Sequence, residues 1–116
     1  MSEFSISTQN LPNGIVALNL EGFLDAYTYE QLEQAINNFF DNKIYRLVVD
    51  MSGVDYISSA GAGVFIGAVG IAQENRGNIV IIRPTPPVKE VFDLLGLTQI
   101  FPITANMESA IKILEA

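Results

Sequence analysis

At 116 residues, with 49% hydrophobic and 16% charged residues, the chain is long enough for one domain with its own core and too apolar for a disordered tail. Its 13 acidic against 6 basic residues give a formal net charge of −7, which excludes the basic footprint that nucleic acid or an anionic membrane surface demands. With neither cysteine nor histidine, the chain has no disulfide, no thiolate metal site and no imidazole base.

The start, MSEFSISTQNLPNG, lacks the basic onset and apolar centre of a secretory signal. Phe4, Ile6 and Thr8 alternate with polar neighbours, as in a short edge strand. Asn13-Gly14 is a hairpin turn signal, and Ile15 to Leu20 reads as the returning antiparallel strand, ended by Gly22 and Asp25. Thr28 and Gln31 have capping-box spacing, so a helix is expected there. Leu32, Ala35, Ile36, Phe39 and Phe40 supply its apolar stripe.

Ile44 to Val49 reads as a strand covered on both faces, and Asp50 stops the apolar run. A turn should follow, with Asp50 and Asp55 as turn-forming aspartates. Ser58 and Ser59 then open a helix from about Ala60 to Glu74, with Arg76-Gly77-Asn78 as its exit. Ile79 to Ile82 is a further buried strand. Thr85 is placed to cap a helix with Pro86 and Pro87 in its first turn, Val88, Val91, Phe92 and Leu95 inward, and Gly96 as its stop. Gln99 to Ile103 reads as a last short strand, made an edge by Pro102. Asn106 caps a terminal helix with Ala110, Ile111 and Leu114 inward. This order predicts one α/β domain over residues 1–116, a mixed sheet of four to five strands with helices packed mainly on one side. The longest uncharged run, Tyr56 to Gln73, contains four glycines and is too broken to span a membrane, so a cytoplasmic protein is expected.

The serine-headed helix carries the functional signal. Its first turn offers free N–H donors and the positive end of the helix dipole, a suitable place for a phosphate. Gly63, Gly67 and Gly70 share one side, and Ala62, Phe65 and Val69 another. A glycine side laid close to the sheet would leave Phe65 and Val69, or Val64 and Ile71, without cover, which favours a partner surface. Catalysis is disfavoured. A nucleophile elbow needs glycine where Ile57 stands, and the dinucleotide fingerprint needs glycine where Ile66 stands. No Walker lysine is present, and no cofactor or metal is expected. Asp25 follows a strand end on the edge of the sheet where the serines are expected.

The segment VVDMSGVDYISSAGAGVFIGA resembles the signature of the STAS domain, in particular of the bacterial anti-sigma factor antagonists. LEGFLD, GNIVIIRPTPPVKEVFDLLGL and IFPITANMESAIKIL extend the resemblance over nearly the whole chain. The resemblance implies a binding module, not an enzyme, and a monomer is the default expectation. Unmodified, such a protein binds an anti-sigma factor that is also a serine kinase and so frees a sigma factor. Phosphorylation at the position of Ser59 releases it, and a metal-dependent serine phosphatase restores it. Ser58 stands where the commoner pattern has aspartate and Ala60 where it has serine or threonine, which makes Ser58 a secondary acceptor. The partner-binding patch is then expected from Asp25, Ser58, Ser59, Ala60, Ala62, Gly63, Phe65 and Val69. The alternative is a STAS scaffold in a larger signalling or transport assembly, with Ser59 never modified.

Overall fold

Alternating and continuous apolar runs set five strands, and the computed structural model, which describes residues 3–116, lays them in the order β1-β2-β3-β4-β5. Met1 and Ser2 lie outside the described residues. Ser5–Leu11 (β1) and Ile15–Leu24 (β2) form the antiparallel hairpin, turning on Pro12–Gly14 with Asn13 and Gly14 both at positive φ. Arg46–Ile57 (β3), Asn78–Ile82 (β4) and Ile103–Thr104 (β5) then add in parallel.

The helices are Tyr29–Asp41 (α1), Ser59–Glu74 (α2), Pro86–Leu94 (α3) and Met107–Glu115 (α4). The first three cover one face of the sheet, where Leu32, Ile36, Phe65, Val69, Val88 and Phe92 join the main core. Phe65, Phe92 and Phe101 meet edge-on at centroid distances of 5.6 to 6.1 Å and tie α2 to α3. On the other face, Ala110 and Leu114 of α4 pack on Ile15, Ala17, Val48, Val80 and Ile82. No helix among the described residues is long and apolar enough to cross a membrane.

Several local expectations are corrected. β2 continues to Leu24 and β3 to Ile57, so Gly22 and Asp50 do not end strands. Gly22 instead sits at a register shift with φ 104, and a Cβ there would lie 2.5 Å from the Glu3 carbonyl oxygen. Asp50 tolerates the strand because its charge is satisfied: Arg83 pairs with one carboxylate oxygen and the Ser52 N–H donates to the other at 3.0 Å. Asp55 likewise lies within β3 rather than in a turn. The Thr28 hydroxyl does not cap α1 but donates to the Phe23 carbonyl, at 2.7 Å. Similarly, the Thr85 hydroxyl donates to the Val54 carbonyl at 2.8 Å, pinning the start of α3 to β3 instead of capping it. Leu95, expected inward, is the C-cap of α3 and is exposed. Of the expected last strand only Ile103 falls in β5; Gln99 ends a helical turn at Leu97–Gln99, anchored by buried Leu97, and residues 100–102 form the irregular link between them.

The Asp50–Arg83 pair makes stability pH-dependent. Burial pushes the Asp50 carboxyl up, but the hydrogen bonds from Arg83 and Ser52 outweigh it and hold it below the usual carboxylate range. A carboxyl depressed in the folded state contributes stability above its unfolded pKa of about 4 and loses it as pH falls through the folded value. Asp50→Asn is therefore expected to cost about 1 kcal/mol at pH 7, with half-exposed Arg83 limiting the loss. Thermal melts of both proteins from pH 7 to 2 should show this gap persisting to about pH 5 and closing below about pH 4. A gap independent of pH would contradict the pairing.

Candidate functional site

The C-terminal ends of the interior strands β2 and β3 and the first turn of α2 meet at one end of the sheet. The Ser58 N–H donates to the Leu24 carbonyl at 2.9 Å, which ties the entry of α2 to the end of β2. Gly61 makes that approach possible: a Cβ on it would lie 2.6 Å from the Leu24 carbonyl oxygen and 2.8 Å from Leu24 Cγ. Ser58 is the N-cap, with extended backbone, and its Oγ accepts the Gly61 N–H at 3.2 Å. Ser59 is the first residue of the helix and is exposed. The two hydroxyls therefore differ, one half-buried and occupied by capping, the other open to a visiting enzyme.

Asp25 immediately follows Leu24 and is half-buried. One of its carboxylate oxygens accepts the Tyr27 N–H at 2.9 Å, and its carbonyl accepts the Tyr29 N–H at 2.9 Å, so it also builds the turn into α1. Asp25 thus comes to the serine end of the sheet. Asp50 does not, being engaged with Arg83. Among the described residues no group of three or more acidic side chains is placed to hold a metal ion.

The structure reverses the two sides of α2. Ala62, Phe65 and Val69, expected in the partner patch, are 0%, 0% and 2% exposed and face the core, so no partner touches them. Gly63, expected in the patch, faces outward, as do Gly67 and Gly70, which a glycine side laid on the sheet would have buried, and a Cβ on any of the three would meet nothing within 4 Å. The physical reason is volume. Ala62, Val64, Phe65, Ala68, Val69 and Ala72 recur at helical spacing and bury far more apolar area than glycines can.

The outward face runs Ser59, Gly63, Ile66, Gly67 and Gly70, positions 0, 4, 7, 8 and 11 of one helical stripe, with exposed Ile71 beside it. Between α1 and α2 the missing glycine side chains leave a groove of about 250 Å³, lined by Glu33, Asn37, Gly63, Gly67 and Ile71 among others. Ala60, half-buried, lies at its serine end. Sequence reasoning missed Phe23 and Tyr56, exposed rings 5.8 Å apart at the ends of β2 and β3, just before Asp25 and Ser58. The signal lies in the strands themselves, which continue to Leu24 and Ile57 beyond their apolar runs. It also missed Ile66, which the stripe above exposes; of the pair Val64 and Ile71, expected without cover, Ile71 is exposed and Val64 is buried.

The sequence pattern of the STAS domain matches residues 8–110. BtrV of Bordetella bronchiseptica, a protein named for anti-sigma factor antagonism, is 32% identical over 103 residues, 89% of each chain. Among solved structures, an anti-sigma factor antagonist from Mycobacterium paratuberculosis superposes with a TM-score of 0.88 at 21% identity, covering 98% of this chain and 96% of that one. The Bacillus cell fate determinant SpoIIAA in its phosphorylated form superposes with a TM-score of 0.74 at 19% identity, covering 94% and 99%. Both structural likenesses speak for the fold.

Neighbouring glycines of α2 should respond with opposite signs. Gly61→Ala is expected to destabilise by about 1–3 kcal/mol, because the new methyl strikes the Leu24 backbone. Gly67→Ala, filling open space, is expected to stabilise by about 0.5–1 kcal/mol. Chemical denaturation of the two variants checks both, and a loss of stability in Gly67→Ala would show that the glycine face is covered.

Proposed function

The chain belongs to the STAS-domain family, and on that premise we propose that it is an anti-sigma factor antagonist switched by phosphate on Ser59. Unmodified, it binds an anti-sigma factor with serine kinase activity through the outward face of α2, freeing a sigma factor. The same kinase then modifies Ser59, and a metal-dependent phosphatase restores it. In this reading the protein is a cytoplasmic binding module, not a catalyst.

One observation carries this reading: Ser59 heads the same helical stripe that leaves Gly63, Ile66, Gly67 and Gly70 exposed. A phosphate adds about −1.5 to −2 charges at the rim of a surface that must lose water for a partner to dock. Stripping water from that charge opposes association, whereas the helix N-terminus stabilises the same charge within the chain. The modification therefore acts on the interface and leaves the fold in place. Asp25, Phe23 and Tyr56 border the acceptor and supply polar and aromatic contacts to the incoming kinase. Support for phosphorylation of a protein with this fold comes from the phosphorylated form of SpoIIAA. Ser58 is the lesser acceptor, because phosphorylating it would break the Gly61 cap.

Incubation with the cognate kinase and ATP, followed by mass spectrometry, should place phosphate on Ser59. Ser59→Ala should abolish the signal and Ser58→Ala should preserve it. Phosphate on Ser58 alone, or none at all, would overturn the assignment, the latter favouring a scaffold. Ile66→Asp is expected to weaken kinase binding at least about tenfold with little change in melting temperature, since Ile66 is already exposed. Unchanged affinity measured by calorimetry would remove α2 from the interface.

A further inference from the structure

The chain has 6 basic residues, and they divide evenly. Arg83, Lys89 and Lys112 each pair with a carboxylate. Lys43, Arg46 and Arg76 pair with none among the described residues, and all three line one pocket of about 230 Å³. It lies where the parallel strands β2, β3 and β4 begin, at the end of the sheet opposite Ser59. Asn13, Tyr45 and Asn75 line it too, and among the described residues no acidic side chain does so. The Glu115 carboxylate accepts from the Asn13 amide and pairs with no base.

Packing holds these bases together. The loop from α2 to β4 presses on the loop from α1 to β3: a Cβ on Gly77 would strike the Tyr45 carbonyl, which also accepts the Asn78 N–H at 3.0 Å. Arg46 and Asn78 are partners across β3 and β4. Lys43 and Arg76 directly follow the C-caps of α1 and α2, in left-handed conformation at φ 62 and 64. Glycine is the usual residue there, and an L side chain is disfavoured. The negative ends of the two helices favour a base at each of these positions. That attraction does not account for Arg46, which opens a strand.

We propose that this pocket binds a compact phosphate anion, either free pyrophosphate or the phosphate end of a small ester. Three cations gathered without a carboxylate call for a ligand with more than one negative charge. Guanidinium forks match the oxygens of phosphate two at a time. The volume falls below the about 300–1,000 Å³ of pockets that take drug-sized ligands, so the ligand is small. An extended polyanion such as nucleic acid would meet the acidic remainder of a chain of net charge −7. The site stands apart from Ser59 and does not depend on the switch proposed there.

Amide NMR titration of the full chain with pyrophosphate, glycerol phosphate and acetate tests this. The expected result with pyrophosphate is a saturable set of shifts at residues 13–14, 43–46 and 75–77, weakening as NaCl is raised, and no saturation with acetate. Saturation by glycerol phosphate as well identifies an ester as the ligand, and pyrophosphate alone identifies the free anion. The double variant R46Q/R76Q should bind pyrophosphate about tenfold or more weakly. Circular dichroism melts check its fold, and K43Q/R76Q, changed only at exposed loop positions, takes its place if it unfolds. No saturation with pyrophosphate overturns the proposal, as does an equal response to acetate or a folded variant that binds as tightly as the unaltered chain.

Discussion

The bond between the Ser58 N–H and the Leu24 carbonyl, together with the side-chain-free approach of Gly61 to the same residue, fixes where α2 begins. Much else follows from that junction. β2 and β3 run on past the end of their apolar runs to reach it, carrying Phe23, Asp25 and Tyr56 to the end of the sheet where the helix starts. Capping then divides the two serines: Ser58 closes the first turn with its hydroxyl, and Ser59 takes the first helical position with its hydroxyl outside.

α2 is a helix with two unlike faces made from uniformly apolar or small residues, which is why an amphipathic pattern is nearly absent from it. The inner face buries Phe65 and Val69 against the sheet and against Phe92 and Phe101. Burying such side chains contributes about 1.5–3 kcal/mol each. The outer face carries three glycines that cost about 1 kcal/mol apiece relative to alanine and meet nothing inside the protein. Stability is thus given up on the side where the fold gains nothing from it. In the proposed function that loss is offset by a surface that lets another backbone come close, and stability given up for binding is common at functional sites.

The order of elements was legible because it rests on local signals. Asn13-Gly14 marks the hairpin, Leu32, Ile36 and Phe40 recur at helical spacing, and Ile79 to Ile82 is continuously apolar. What escaped depends on long-range partners. Asp50 looks like a strand terminator until Arg83, thirty-three residues later, satisfies it. Thr28 and Thr85 have capping positions, but neighbouring strand carbonyls compete for their hydroxyls and win. The serine pair and Asp25 could be placed from sequence, as could the helix that follows. Which side of that helix faces out could not be read from glycine spacing, since glycine suits close packing inside a protein as well as between proteins. The role proposed for Ser59 rests on the STAS resemblance, and its exposure is what the sequence did not show.

In the proposed switch, a phosphate added at the head of α2 alters association and leaves the fold unchanged. Calorimetric titration of the cognate kinase into unmodified chain and into chain stoichiometrically phosphorylated on Ser59, with amide NMR spectra of both, tests it directly. The expected result is a loss of affinity of about tenfold or more on modification, with amide shifts confined to residues near the first turn of α2. Equal affinities, or shifts spread through β3 and β4, would contradict it.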